Sequence, residues 1–355
     1  MKSYIPEYKT VSCECRTLFY GANTHEGFSF CSDPALDERG LTEKIIIKGG
    51  PGTGKSTLMR KWAEAARDAG SEVTFYLCSS DPSSVDAVLA VRGDERRVVC
   101  DGTAPHAAEA QYPGAVSHIF DVSAFWKCRV LSDAREEIIS LADSKAECFS
   151  RAYGLLSAAH RLNDAAEGLI DRVMDDERLG IFAEKHASRA ARGKGRRVFR
   201  EAVTMKGAVM IDDHTADNAR IYAITDHFGA SFRVISRIVK ELDARGAGYE
   251  ASVCPYDTTR IDSVFIPSSG VVFTVIPTDR PHRNINIKRF MTDTADDCRQ
   301  KLKFFAESSK RITNAALDSL AEASVYHYEL ERIYSSAMRF RALDKALGDK
   351  LISRM

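Results

Sequence analysis

Leu41 to Met59 reads LTEKIIIKGGPGTGKSTLM, and this stretch decides the fold class. The β-branched run Ile45 to Ile47 predicts a strand and the glycine-rich segment a turn. The spacing of Trp62, Ala65, Ala66 and Ala69 predicts a helix after it. Gly49, Gly54, Lys55 and Ser56 satisfy G-x-x-x-x-G-K-[ST], a pattern in which each position has a physical task. Gly50, Gly52 and Gly54 allow positive φ and bring successive N–H groups toward phosphate oxygens with no Cβ in the way. Lys55 is expected to reach the β- and γ-phosphates and Ser56 Oγ to coordinate Mg2+, with the positive end of the helix dipole aimed at the anion. The expected binding segment is therefore Gly49, Gly50, Pro51, Gly52, Thr53, Gly54, Lys55, Ser56 and Thr57, and the expected ligands are ATP, or a closely related nucleoside triphosphate, with Mg2+. A glycine turn that binds nothing is the bland alternative. With ordinary glycine usage the pattern arises by chance in only about one chain in a hundred of this length, which favours the functional reading.

A second carboxylate is needed to hold Mg2+ through water, and in proteins of this kind it closes a hydrophobic strand beside the loop. Arg97-Val98-Val99-Cys100-Asp101 supplies one. Asp101 is expected as a metal group with Ser56, and Lys55 and Asp101 as the catalytic pair.

The chain also repeats itself. Phe199 to Gly207 echoes Phe19 to Gly27, and from the loop onward the two halves run at a constant offset of 176 (Cys78 to Cys254, Asp81 to Asp257, Asp86 to Asp262, Val88 to Val264, Pro105-His106 to Pro281-His282). Opposite Gly49 to Thr57 stands Thr225 to Arg233, where the lysine has become Ser231 and the Mg2+ serine Phe232. Asp226 would repel phosphate there, Phe228 is bulky where backbone must approach closely, and Pro277 replaces the aspartate. Three groups that would serve one ligand are lost together. Asp81 and Asp257 persist in both halves, so they read as helix caps more readily than as bases. The retained Pro-His turns at His106 and His282 read as structural.

Lys plus Arg and Asp plus Glu are both 50, and this balance speaks against a nucleic-acid partner. The nine cysteines are scattered and partly inside apolar runs, and Cys13-Glu14-Cys15 lacks the second pair that a zinc site needs. The cysteines are thus expected to be reduced. Met1 to Val11 carries no signal-like apolar core and no run of 18 apolar residues occurs, so a cytoplasmic protein without a membrane partner is expected.

From Leu131 a three-four spacing runs through Ile138, Leu141, Cys148, Ala152, Leu155, Ala159, Leu162, Ala166 and Leu169 to Val173, interrupted at Lys145. A continuous helix over that length would span about 65 Å. Leu302, Phe305, Ile312, Ala316, Ala323, Tyr326, Leu330, Ile333 and Ala337 give a second seam. Pairing of the two seams is the simplest burial, and an exposed amphipathic face could alternatively dock a protein partner. Gly193 to Arg197 reads as a linker between the halves. The expected division is 14–125 for the nucleotide-binding domain, 126–192 for a helical segment, 196–290 for a degenerate copy and 291–355 for a second helical segment. The expected fold is a duplicated α/β P-loop NTPase-like domain. Each copy is led by a β-hairpin (Arg16 to Cys31; Arg197 to Ile211) and followed by a long helical hairpin. Composition sets no oligomeric state.

FYGANTHEGF at Phe19 to Phe28, KGGPGTGKSTLM at Lys48 to Met59, LCSSDPSSVD at Leu77 to Asp86 and DGTAPH at Asp101 to His106 together resemble a poorly characterised family of bacterial tandem P-loop ATP-binding proteins. The resemblance covers nearly the whole chain and implies ATP binding without supplying a substrate. Members often keep a working loop in the second half, and this chain departs from them there. Three activities follow from the residues: ATP hydrolysis coupled to movement between the halves, phosphoryl transfer with Asp81 near an acceptor hydroxyl, or a non-hydrolysing ATP-dependent switch. Asp101 is followed by Gly102, so no water-positioning acid stands beside it.

Overall fold

In the computed structural model the described residues are 9–12, 15–31, 33–103, 109–212, 218–226, 229–276, 278 and 281–350. The first half contains β1 (Lys9–Ser12), β2 (Thr17–Phe19), β3 (Gly21–Thr24), β4 (Gly27–Phe30), β5 (Glu43–Lys48), α1 (Lys55–Asp68), β6 (Glu72–Leu77), β7 (Val85–Arg92), β8 (Glu95–Asp101) and β9 (Ser117–Asp121). Helices α2 (Cys128–Asp133), α3 (Arg135–Val173) and α4 (Asp176–Ala187) follow. The second half contains β10 (Gly195–Val198), β11 (Glu201–Thr204), β12 (Gly207–Asp212), β13 (Arg220–Thr225), α5 (Phe232–Ala244), β14 (Tyr249–Val253), β15 (Ile261–Ile266), β16 (Val271–Thr274) and β17 (Arg283–Asn286), then α6 (Ala295–Ser336) and α7 (Phe340–Lys350). The protein is α/β, with two similar halves.

Each half is built on a mixed six-stranded sheet, ordered β2-β6-β7-β8-β5-β9 in the first and β10-β14-β15-β16-β13-β17 in the second. The two orders correspond strand for strand, and β5, β6, β7 and β8 meet β13, β14, β15 and β16 at the sequence offset of 176. Ile45, Ile46 and Ile47 are all buried, with Ile46 facing one apolar cluster and its neighbours another. A strand covered on both faces needs such a continuous apolar run. Helix α1 covers one of those faces through Leu58, Met59, Trp62, Ala63 and Ala66.

The expected lead-in hairpins form as β3–β4 and β11–β12. They meet across the halves, where the Phe19 amide donates to the Phe199 carbonyl at 2.8 Å and Asn23 Nδ2 donates to the Val203 carbonyl at 2.8 Å. Gly195 to Arg197, read above as linker, instead form most of the edge strand β10, paired with β14. Arg196 is ion-paired with the buried Asp33 of the first half.

The expected pairing of the two helical seams is present, but among the described residues no helical hairpin forms within either copy. Helix α3, of 39 residues, lies antiparallel along α6, of 42 residues. Ala152, Leu156, Ala316 and Leu320 bury one another there, Arg151 Nε donates to Ser319 Oγ at 3.1 Å, and Ser309 Oγ donates to the Ala159 carbonyl. Small side chains at the crossing let the backbones approach closely. The helical pattern breaks at Ala134, where α2 ends, and not at Lys145, which lies inside α3. Leu155 packs against the seam only partly, and Leu156 is the buried residue.

Because α3 and α6 are long, each carries the chain onto the opposite half. At the far end of α3 the Asp175 amide donates to the Phe290 carbonyl at 2.8 Å, and α4 joins the core of the second half through Leu179, Phe182 and Ala183. At the end of α6 the Lys127 amide donates to the Ala337 carbonyl at 2.7 Å, and Met338, Leu343 and Leu347 join the core of the first half. The halves thus exchange their terminal helices, which brings α7 against the glycine-rich loop, where Phe340 and Leu343 neighbour Gly54. Among the described residues no helix is long and apolar enough to cross a membrane.

Candidate functional site

The loop from Gly49 to Gly54 joins β5 to α1. Gly52 at φ +64° and Gly54 at φ +86° take the left-handed conformation that the sequence pattern anticipates. Thr53 is buried and its Oγ1 donates to the Gly50 carbonyl at 2.8 Å, closing the loop on itself. Lys55, the first residue of α1, turns its ammonium into the loop and donates to the carbonyls of Gly49 (3.1 Å) and Gly50 (2.6 Å). Parallel pairing of β5 with β8 sets Ile47 level with Asp101, which places the Asp101 carboxylate at the loop's edge, 3.5 Å from Lys55 Nζ. Asp101 Oδ1 accepts the Thr103 amide at 2.8 Å, while Thr103 Oγ1 donates to the Gly49 carbonyl at 2.6 Å. Lys55, Asp101 and the loop backbone therefore form one connected unit.

Ser56 lies one residue further along α1, and its Oγ accepts the Val85 amide at 3.0 Å. The Ser56 hydroxyl is thus tied to β7, next to Asp86. Pro51 is half-buried on the loop and Thr57 is exposed. Phe232 and Ser231 occupy the corresponding start of α5.

Sequence reasoning missed four contributors. Asp86 on β7 is buried, and burial together with the neighbouring Asp101 carboxylate pushes it up to about 7, against the opposing effects of Cys78 and Lys55. Its partner in the repeat, Asp262, is likewise pushed up, to about 6, by burial, and is hydrogen-bonded to Cys254. Burial beside a cysteine is therefore common to both halves, as is the aspartate of the preceding turn (Asp81, Asp257), and the first half adds Lys55 and Asp101. Lys145 on α3 is half-buried: burial lowers its ammonium below the ordinary value, and it lies within electrostatic reach of Cys78, Glu331 and Lys55. Its interruption of the apolar stripe was the available signal. Tyr334 and Ser335 come from the end of α6. A Cβ on Gly50 would meet the Tyr334 ring at 2.8 Å, and one on Gly52 would meet the Glu331 carbonyl at 2.4 Å. Ser335 Oγ donates to the Gly52 carbonyl at 2.7 Å. The loop is thus covered on one side by a helix from the other half, and glycine is required wherever that helix touches it.

Asp81 does not cap a helix. It accepts from the Ser83 amide (3.0 Å) and the Ser83 hydroxyl (2.7 Å) in the turn before β7. Asp257 does the same with Thr259, so the structural reading holds while the element capped is a turn. Lys206, from the opposite hairpin, also pairs with Asp81 at 2.7 Å. Burial works against ionisation of Asp81, yet the hydrogen bonds from Lys206 and Ser83 outweigh it and hold the carboxyl below its ordinary range.

In the second half Asp226 stands where the first has Gly50. Its carboxylate accepts the amides of Gly229 (3.0 Å) and Ser231 (2.6 Å) at the start of α5. His106 of the first Pro-His turn, Phe228 and Pro277 lie outside the described residues, as do Cys13 and Glu14. His282 is described, and its ring meets Tyr222 edge-on. The eight described cysteines are free thiols. Compared with protein-family models, curated proteins and solved structures, the chain matches none.

Proposed function

We propose that the first half binds one nucleoside triphosphate, ATP or a close relative, with Mg2+, and that the chain is a P-loop NTPase of the tandem kind that its motifs resemble. The observation that carries this reading is the 3.5 Å approach of Lys55 Nζ to Asp101 Oδ2 at the mouth of a loop with two left-handed glycines. A phosphate chain would draw the Lys55 ammonium from the loop carbonyls to its own oxygens. Asp101, and Ser56 once released from Val85, would hold Mg2+, and Lys145 would add a second positive charge from α3. Asp86, ionising near neutral pH and adjacent to Asp101, is the carboxyl best poised to orient or deprotonate an attacking water, the group that the sequence left unassigned. Because α6 touches Gly50 and Gly52, filling the loop would press on a helix anchored in the other half. Hydrolysis would in this way couple to movement between the halves.

A non-hydrolysing switch is the second reading. It is supported by the same contact with α6, and by the exposed Ile139, Phe304 and Val325, which could dock a protein partner on the helical pair. Phosphoryl transfer through Asp81 has less support, since Lys206 and Ser83 already engage that carboxylate. Incubation of the purified chain with MgATP, followed by assay of released phosphate, separates the readings. Hydrolysis predicts multiple turnovers that disappear in Lys55→Ala and in Asp86→Asn. Tight binding with no phosphate released would leave the switch.

A further inference from the structure

At the opposite pole of the molecule three ligating side chains converge from three separate elements. His25 comes from the turn of the β3–β4 hairpin, His160 from α3 and Asp257 from the turn before β15. The atoms they offer lie within 4.8 Å of one another. The two imidazoles stack with ring centroids 3.7 Å apart, and His160 Nδ1 is 3.2 Å from Asp257 Oδ2. His25 Nδ1, His160 Nδ1 and Asp257 Oδ2 are all buried, and none makes a hydrogen bond among the described residues. The side chain of His25 is only 9% exposed and that of Asp257 only 2%. His160 Nδ1 and Asp257 Oδ2 therefore face each other at ion-pair distance without a well-formed hydrogen bond, and His25 Nδ1 is buried with no polar partner among the described residues, a cost in free energy that a shared ligand would recover.

We propose that His25, His160 and Asp257 bind a divalent transition-metal ion, of the class of Zn2+, Co2+ or Fe2+. Two imidazole nitrogens and one carboxylate oxygen are borderline donors, suited to these ions and poorly suited to Mg2+ or Ca2+. The surroundings fit. His160 Nε2 lies 3.3 Å from Asp164 Oδ2, the carboxylate–histidine relay that leaves Nδ1 as the ligating atom. Asp257 Oδ1 is occupied by Thr259, which directs Oδ2 at the histidines. Arg260 Nε is 3.1 Å from that Oδ2, and a carboxylate oxygen has a second lone pair for a metal. Arg260 is itself held by Glu167 at 2.8 Å and by the face of Phe232, which fixes its position. Two donors on one tetrahedral ion sit about 3.4 Å apart, so the observed spacing closes with a modest rotation of the imidazole rings about χ2, a soft torsion.

The repeat supplies an internal control. Around Asp81, the counterpart of Asp257, the same three elements of the opposite half bring Lys206 from a hairpin, at 2.7 Å, and the Tyr328 hydroxyl from a long helix, at 3.3 Å. That pole is satisfied by an ammonium and a phenol, neither of which ligates a metal as two imidazoles do. The donor set is therefore particular to the second pole and not a consequence of the fold.

The test is equilibrium dialysis of the full, chelator-treated chain against Co2+ and Zn2+, with visible absorption reporting nitrogen-ligated Co2+. The wild type should retain one ion per chain at micromolar free metal. His25→Gln and His160→Ala should each weaken retention at least tenfold, and Cys128→Ser, removing an exposed thiol, should leave it unchanged. His25 sits at a hairpin turn, so its variant reports even if one in α3 fails to fold. Metal should also raise the melting midpoint of the wild type and not of His25→Gln. No retained ion in the wild type, or retention unaffected by His25→Gln, overturns the assignment.

Discussion

Asp226 Oδ2 accepts the amide of Ser231 at 2.6 Å, at the start of α5, where the first half has a glycine-rich loop and a lysine. With Oδ1 taking the Gly229 amide, this carboxylate fills from within the place that an external anion would take. The second loop is thus self-satisfied as well as stripped of its lysine.

Replacing Asp226 by alanine should strand these two amides and destabilise the chain by about 1–3 kcal/mol, without creating a nucleotide site, because no lysine stands at Ser231. Chemical denaturation and nucleotide titration of the same variant check both halves of the statement. Nucleotide binding at the second half of Asp226→Ala would show that the carboxylate alone blocks it.

Asp101 should matter through the metal. Asp101→Asn is expected to weaken nucleotide binding in Mg2+ far more than in EDTA, because only the metal-mediated contact is lost. An equal loss in both conditions would mark Asp101 as a partner of Lys55 and Thr103 and nothing more.

Asp86 gives stability a definite pH dependence. Its carboxyl rises from an ordinary 3.8 to about 7 on folding, so the native state holds a proton that the unfolded chain releases. Its stabilising contribution is full below about pH 4, declines as pH rises toward 7 and is level above that. Asp262, at about 6, and Glu201, at about 8, act in the same direction. Asp86→Asn should flatten the decline between pH 4 and 7 by up to about 1.4 kcal/mol per pH unit. Urea titrations at pH 5, 6 and 7 measure it, and an unchanged slope would show that Asp86 ionises normally.

In the helical pair Leu156→Asp should cost several kcal/mol, since it puts a charge among Ala152, Ala316 and Leu320. Leu155→Asp, at the partly buried neighbouring position, should cost clearly less. Equal denaturation midpoints for the two variants would mean that the seam is not packed along Leu156.

The loop and the repeat were legible because their residues are contiguous or keep a fixed offset. The partner of each helix was not. A three-four stripe says that a face is buried without saying against what, and the exchange of α4 and α7 between halves depends on α3 and α6 being long enough to cross. Lys145 looked like a flaw in a stripe, although it is half-buried within electrostatic reach of Lys55. Asp86 sits within the apolar run from Val85 to Val91 and reads as strand, its burial beside Asp101 being a product of β7–β8 pairing. Gly195 to Arg197 carried linker composition, yet an edge strand tolerates it because Arg196 reaches Asp33. His25, His160 and Asp257 are so far apart in sequence that only the crossing of the halves unites them.

The central claim is that one nucleotide binds, and that it binds beside Lys55. Isothermal titration of MgATP into the wild type, Lys55→Ala and Ser231→Ala tests it most directly. Lys55 carries the full charge aimed at the phosphates, and charge-assisted hydrogen bonds of this kind contribute about 1.5–3 kcal/mol. The account predicts one nucleotide per chain, at least a tenfold loss of affinity in Lys55→Ala and no change in Ser231→Ala. A stoichiometry near two, or full affinity without Lys55, would contradict it.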